Sequence, residues 1–267
     1  MKRIILGLLF DGVDFYLSRN FRLQRLGNMA WLQEHFGIFD LASHVDEVAV
    51  FHVARKMETK EFALQLKELA RNLFIPISVG GGVRSIEEAD ALFRSGADRI
   101  MFSGTLWSDP NLVREVGAKY GKQSVIGVLN YSRAEGQDPV IRHRHREGSP
   151  PIALKALPTD SLGSLAGELV LQSIDRDGTG QGFPAESLSH FEELRETPWI
   201  AAGGFGSTAH VSQALGDSRI EAVLTSNLLA FVGSGLSLAR SSSRERGVKL
   251  AVWEEWAPDG DLLTSSP

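Results

Sequence analysis

Eight short apolar runs recur along the chain: Arg3–Leu9, Glu47–Val53, Ile75–Val79, Arg99–Phe102, Ser124–Leu129, Leu169–Ser173, Trp199–Ala202 and Ala222–Thr225. None alternates apolar with polar residues. A strand covered on one face alternates; a strand covered on both faces is apolar throughout and belongs to a parallel sheet with helices outside it. Helical patterns separate the runs. Thr59–Leu73 sets Phe62, Leu66, Leu69 and Leu73 on one face. Ser85-Ile86-Glu87-Glu88 reads as a capping box opening a helix through Phe93, with Gly96 to end it. Asp109-Pro110 opens another, and Pro184–Leu194 and Ser207–Leu215 follow the same pattern. Eight strands alternating with helices over about 250 residues specify an α/β fold of the (β/α)8 TIM-barrel type. A doubly wound open sheet would need a glycine-rich nucleotide fingerprint after the first strand, and "LLFDGVDF" is not one.

The pattern weakens in two places. Pro150, Pro151 and Pro158 interrupt Ser149–Leu165, so the fifth helix is expected to be short or displaced. The barrel is expected over residues 1–252, with 253–267 as a surface extension. An internal repeat at an offset of roughly 120 residues divides the barrel into halves. Gly80-Gly81-Gly82-Val83-Arg84-Ser85 after the third strand matches Gly203-Gly204-Phe205-Gly206-Ser207 after the seventh. Phe102-Ser103-Gly104 matches Leu224-Thr225-Ser226, and "GLLF" on the first strand matches "GVLN" on the fifth.

Charge and cysteine content narrow the function. Thirty-three acidic and 28 basic residues give a formal charge of −5 with no long run of one sign, which is no footprint for nucleic acid. The chain has no cysteine, so thiol nucleophiles, disulfides and cysteine metal sites are excluded. The N-terminal run is short and meets Asp11 and Asp14, so it reads as a buried strand and not a signal peptide. No window suggests a membrane span, and a cytoplasmic location is expected. His143 and His145 in "VIRHRHREG" suit alternating strand faces and not a metal site, and no cofactor is implied.

In a barrel of this type the active site lies at the C-terminal ends of the strands. The loop after the sixth strand, Ser173–Gly182, carries Asp175, Asp177 and three alternate glycines to that mouth. Its alternative reading is an Asp-Gly turn with a surface Arg-Asp pair. Each of the two matched glycine loops precedes a helix N-terminus, where free amides hold an anion. They suggest two phosphate sites across the mouth, and otherwise two tight turns.

As a set, "KRII", "FIPISVGGGVRSIEEADALFRSGADRI", "GKQSVIGV", "GELVLQSIDRDGTGQGF" and "WIAAGGFGS" resemble the cyclase subunit of imidazole glycerol phosphate synthase, from Lys2 to about Val252. That family takes ammonia from a glutaminase subunit, with which it forms a heterodimer, and delivers it through the barrel to a bisphosphorylated substrate. The resemblance implies phosphate contacts at Gly82, Ser103, Gly178, Gly204, Thr225 and Ser226. It also implies an ammonia gate of Arg3, Glu47, Arg99 and Glu168 at the barrel bottom, with Arg99 where lysine is usual. A structural plug is the other reading of those four charges.

Departures from the family pattern matter as much. The motif matches put Leu9 and Leu129 where the family has catalytic aspartates ending strands one and five. His52 stands at a third acidic position and Gly104 where threonine is usual. The remaining candidates for acid–base work are Asp177, Asp11 and His52. Asp11 either reaches the site or closes a solvent-facing turn; His52 is either an acid–base group or a packed rim histidine. Asn130 is polar without titrating. The chain also resembles paralogues of surface-polysaccharide pathways that work with a glutaminase. The expectation is a cyclase-type synthase subunit binding a phosphorylated ligand. The alternatives are an ordinary histidine-pathway cyclase or a non-catalytic ammonia conduit.

Overall fold

Strand pairing closes on itself. In the computed structural model of the protein, which describes residues 1–19, 21–38, 44–54, 58–134, 137–142, 150–157, 159–226 and 235–250, the strands are β1 (Arg3–Phe10), β2 (Asp14–Arg19), β3 (Arg22–Asn28), β4 (Glu47–His52), β5 (Ile77–Gly80), β6 (Arg99–Phe102), β7 (Val125–Ser132), β8 (Val140–Ile141), β9 (Ile152–Ala153), β10 (Glu168–Ser173), β11 (Trp199–Ala202) and β12 (Ile220–Thr225). Eight of these form a parallel barrel in the order β1-β4-β5-β6-β7-β10-β11-β12, and β12 returns to β1 through Arg3↔Ala222 to Leu6↔Thr225. Every sequence-predicted strand is one of the eight. The third begins at Ile77 and not Ile75, because Pro76 has no amide for the ladder; its carbonyl accepts from the Val48 amide at 3.0 Å. His143, His145 and the 253–267 extension lie outside the described residues.

The uniformly apolar strands serve two cores. On β1, Ile4, Leu6, Leu8 and Phe10 face the helices, whereas Ile5 faces the lumen with Ala49, Ile126, Val170 and Ile200. Both faces are dry, so no polar alternation develops. The helix Thr59–Ala70 buries Phe62, Leu66 and Leu69 at helical spacing and ends short of Leu73. Ile86–Arg94 starts as predicted: Ser85 Oγ accepts from the Glu88 amide at 3.3 Å, and Glu88 Oε2 accepts from the Arg84 amide at 2.6 Å. Pro110–Tyr120 has Asp109 as its cap. The predicted helix after Pro184 is a 3-10 helix, Ala185–Leu194, and the interrupted fifth helix is reduced to Thr159–Leu165. No helix among the described residues is long and apolar enough to cross a membrane.

The half-barrel repeat is visible in the turns. A Cβ on Gly81 would come within 2.5 Å of the His52 carbonyl oxygen at the end of β4. One on Gly203 would meet the Ser173 carbonyl at the end of β10 at the same distance. Both glycines have positive φ, 112° and 98°, and both turns lead to serine-capped helices. The first strand of each half also runs on into antiparallel pairing, β1 with β2–β3 and β7 with β8–β9. The β2–β3 hairpin and the helix Met29–Phe36 after it were not expected from the sequence pattern.

Candidate functional site

At the N-terminal end of the barrel the four predicted gate residues meet in one closed circuit. Arg3 Nη1 donates to Glu47 Oε1 at 2.7 Å and Arg3 Nη2 to Glu168; Arg99 donates to Glu168 and to Glu47. Each cation thus touches both anions, and the ring is neutral. Its side chains are only 6–21% exposed. Burial pushes the Glu47 carboxyl up, and Arg99 and Arg3 only partly draw it back, so it lies above the usual range. Burial also disfavours charged Arg3, but Glu168 and Glu47 more than compensate and raise it. Two lumen atoms at the ring, Glu47 Oε2 and Ser78 Oγ, are buried without a hydrogen-bond partner among the described residues.

Above the ring the lumen is apolar up to the mouth, where a cavity of about 920 Å³ opens. Its floor is Val128, Val170 and Leu224, and its polar edge includes Gly82, Ser103, Asn130, Gln172, Asp177 and Ser226. Gly82, at φ 75°, has none of the described residues within 4 Å of where a Cβ would stand, so its backbone is open to the cavity ahead of the helix Ile86–Arg94. A second space of about 40 Å³ lies on the opposite side, among Asp177, Gly178, Gly204, Thr225, Ser226 and the hairpin residues Leu17 and Ser18. The two groups of predicted phosphate contacts therefore occupy two sides of one mouth, one open and one covered.

The covering changes the explanation for the glycines after β10. They were expected to let backbone approach a ligand, but they let loops approach each other. A Cβ on Gly178 would lie 2.7 Å from Arg19 Cα and from the Ser18 carbonyl oxygen. The Gly182 amide donates to the Gly204 carbonyl at 2.7 Å, and Gly206 stands against Gly180. The acids sit as the opening of this loop requires. Asp175 accepts from the Arg133 amide at 2.7 Å and so ties the loop to β7. Asp177 faces the cavity while its Oδ2 accepts from Ser18 Oγ at 2.6 Å and from the Phe21 amide at 3.0 Å. Phe21 has φ 58°, a left-handed conformation that costs a residue with a Cβ roughly 1–2 kcal/mol. Phe21 also lines the cavity.

Two expectations need correction. Asp11 lines neither space. It closes its own turn, accepting from the Val13 amide at 2.9 Å, the Asp14 amide at 2.7 Å and Tyr16 Oη at 2.7 Å. Burial raises its carboxyl, but these bonds outweigh burial and hold it below the usual range. Leu129 does not face the mouth at all. It is fully buried against the helices, whereas its neighbours Val128 and Asn130 face inward. The cavity-facing end of the fifth barrel strand is therefore Asn130, whose Nδ2 donates to Ser103 Oγ at 2.9 Å. Leu9 does line the cavity, as expected.

His52 is half-buried at the cavity wall, its ring stacked on Phe62 at 4.1 Å and its Nε2 buried without a hydrogen-bond partner among the described residues. Burial lowers its pKa, with only weak opposition from Asp11. Gln172 was missed as a site residue, although a lone amide in "LVLQS" was a readable signal; it lines both spaces. The hairpin's share in the mouth had no comparable signal.

Residues 41–233 match the family model described as "Histidine biosynthesis protein". Over 260 residues the chain is 35% identical to the "Putative imidazole glycerol phosphate synthase subunit hisF2" of Parasynechococcus marenigrum, covering 94% of each chain. It is 30% identical over 209 residues to the imidazole glycerol phosphate synthase subunit HisF of Chlorobium luteolum, covering 78% of this chain and 82% of that one. The HisF subunit of Chlorobaculum tepidum is similar to the same degree, over 212 residues.

Proposed function

The chain belongs to the histidine biosynthesis protein family as a HisF-type cyclase subunit, and from that premise we propose that it takes ammonia from a glutaminase partner and delivers it to a phosphorylated ligand at a diverged mouth. One observation carries this reading: a neutral ring of four charges, an apolar lumen and an open cavity with a glycine loop lie in series along one axis. Ammonia is uncharged and can cross an apolar lumen; ammonium would have to shed its hydration there at a cost of many kcal/mol. The ring holds its own charges in mutual pairs, so parting one Arg–Glu contact opens a path without leaving any ion isolated.

At the mouth, Gly82 and Ser103 are the contacts for a phosphate on the open side, with Asn130 orienting the Ser103 hydroxyl. Gly178, Gly204, Thr225 and Ser226 serve a phosphate on the covered side. Proton transfer in the standard cyclase reaction needs groups facing each other across the ligand. Here Leu9 and Asn130 occupy the two facing strand ends, and Asp177 and His52 are the titratable side chains that remain from the candidate set. The vacancy at Leu9 and Asn130 supports divergence from the histidine-pathway reaction, as in the surface-polysaccharide paralogues. It also favours a second reading, a subunit that only conducts ammonia.

The test gives the purified protein the histidine-pathway bisphosphate and saturating ammonium. Calorimetric binding without imidazole product supports the diverged cyclase-type subunit. Robust product formation would return the protein to the ordinary histidine-pathway reaction. No binding, together with capture of a glutaminase subunit, would favour the conduit.

A further inference from the structure

The β2–β3 hairpin stands outside the barrel circuit, and its tip crosses to the far side of the mouth. There, Ser18 Oγ and the Phe21 amide both donate to Asp177 Oδ2, at 2.6 and 3.0 Å. Two further geometric observations bear on the tether. Phe21 is the one non-glycine residue at positive φ among the described residues, and that conformation presents its amide to Asp177. Gly178, next in sequence to Asp177, leaves room for the Ser18 and Arg19 backbone, which any Cβ would displace. A strained residue, a missing side chain and a shared acceptor converge on one contact.

We propose that Asp177 is a positioning residue that clamps the hairpin over the second glycine loop. What the clamp needs at this position is a hydrogen-bond acceptor; the carboxylate charge is secondary. The space of about 40 Å³ beneath it, lined by Leu17, Ser18, Gly204 and Thr225, is enclosed only while the clamp holds. Asp177 then acts on the mouth through Phe21 and Leu17. The clamp does not depend on what the mouth binds, so the ammonia-delivery reading can fail while the clamp stands.

Limited proteolysis tests it without a ligand. Arg19 and Arg22 flank the hairpin tip and are exposed, so trypsin reports its opening, and Arg71, 62% exposed on a distant helix end, is the internal reference. Asp177→Ala should raise cleavage after Arg19 and Arg22 at least tenfold, about 1.4 kcal/mol of lost closure, with Arg71 cleavage unchanged. Asp177→Asn keeps an amide oxygen for both donors and should cleave at a rate close to wild type. Exchange of the Phe21 amide should follow the same order. If Asp177→Ala does not fold, Ser18→Ala removes one of the two donors and should raise tip cleavage about threefold or more. Unchanged tip cleavage in the folded variants overturns the clamp. So does a parallel rise at Arg71, which would make Asp177 a residue of global stability.

Discussion

Asn130→Asp and Leu129→Asp differ by one position and should differ in outcome by most of the protein's stability. Leu129 is fully buried between barrel and helices. Replacing it removes about 2–3 kcal/mol of apolar burial and leaves a carboxyl without a partner, a further few kcal/mol even when it protonates. The sum, about 5 kcal/mol or more, approaches the whole stability of an ordinary domain. Asn130 has the same shape as aspartate and faces the cavity. Its one side-chain hydrogen bond among the described residues, Nδ2 to Ser103 Oγ, can be replaced by the Ser103 hydroxyl turning to donate to the new carboxylate. The expected cost is below about 1 kcal/mol. At roughly 2–4 °C per kcal/mol for a chain of this size, thermal melts should show Asn130→Asp within about 4 °C of wild type. Leu129→Asp should melt more than 10 °C lower or fail to fold. Leu9 also faces the cavity, so Leu9→Asp with Asn130→Asp returns carboxylates to both facing strand ends. Given the histidine-pathway bisphosphate and saturating ammonium, wild type should make no detectable imidazole product and the double variant a weak but measurable amount. A general acid or base contributes roughly 10²–10⁴-fold; His52 and Gly104 still depart from the pattern, so full rates are not expected. A more stable Leu129→Asp than Asn130→Asp would refute the strand parity. Robust turnover by the unmodified protein would refute the vacancy.

Glu168→Ala leaves two arginines facing one glutamate in the ring, and with side chains only 6–21% exposed it should destabilise by about 3–5 kcal/mol. Its glutamine-dependent rate in the complex should fall more than its ammonium-dependent rate; equal falls would make the ring a plug and not a gate. A Cβ on Gly82 meets no described atom within 4 Å, so Gly82→Glu should fold with roughly 1–2 kcal/mol of left-handed strain and abolish anion binding measured by calorimetry. Binding equal to wild type would remove the open glycine loop from the phosphate site. The Gly204 equivalent is a poorer probe, because its Cβ would collide with the Gly182 carbonyl. His52 titrates below its ordinary value in the folded state. The unfolded chain therefore takes up its proton first as pH falls, and stability present above about pH 6.5 is lost progressively below it. His52→Phe should flatten the change in melting temperature between pH 7.5 and 5.5, and equal slopes would exclude His52 as its source.

The barrel was legible because each of its strands is dry on both faces, a pattern that only a covered parallel sheet produces. The same dryness hid the parity. In "VIGVLN" nothing in composition separates the lumen from the helix side, and a slip of one residue exchanges them. The motif matches set Leu129 at the mouth and nothing in the apolar pattern opposed them, but Asn130 is the residue that lines it. The ring residues escaped this error because the family resemblance, and not the apolar pattern, placed Arg3, Glu47, Arg99 and Glu168 at the barrel bottom. The hairpin failed for the opposite reason. "DFYLSR" and "RLQRLGN" are polar, half-exposed and joined without an Asn-Gly or Gly-Gly turn, so neither burial nor turn chemistry announces them. The glycines after β10 were correctly seen as requiring close backbone approach. Sequence could not show that the approaching backbone is the protein's own.

Asp46, just before β4, has consequences for the order in which the molecule is made. Its carboxylate is 2% exposed and accepts from the Ile4 amide at 2.8 Å and from both Nη atoms of Arg240 at 2.9 Å, across 194 positions of sequence. At a translation rate of about 5–20 residues per second, Asp46 leaves the ribosome roughly 10–40 s before its cation. In that interval β1 and β4 can pair, but the carboxylate they jointly enclose has no counter-charge and must stay hydrated. The seam at β12–β1 is then the last to seal. Nascent chains stalled before residue 240 should keep this corner wet and be the species that chaperones hold longest.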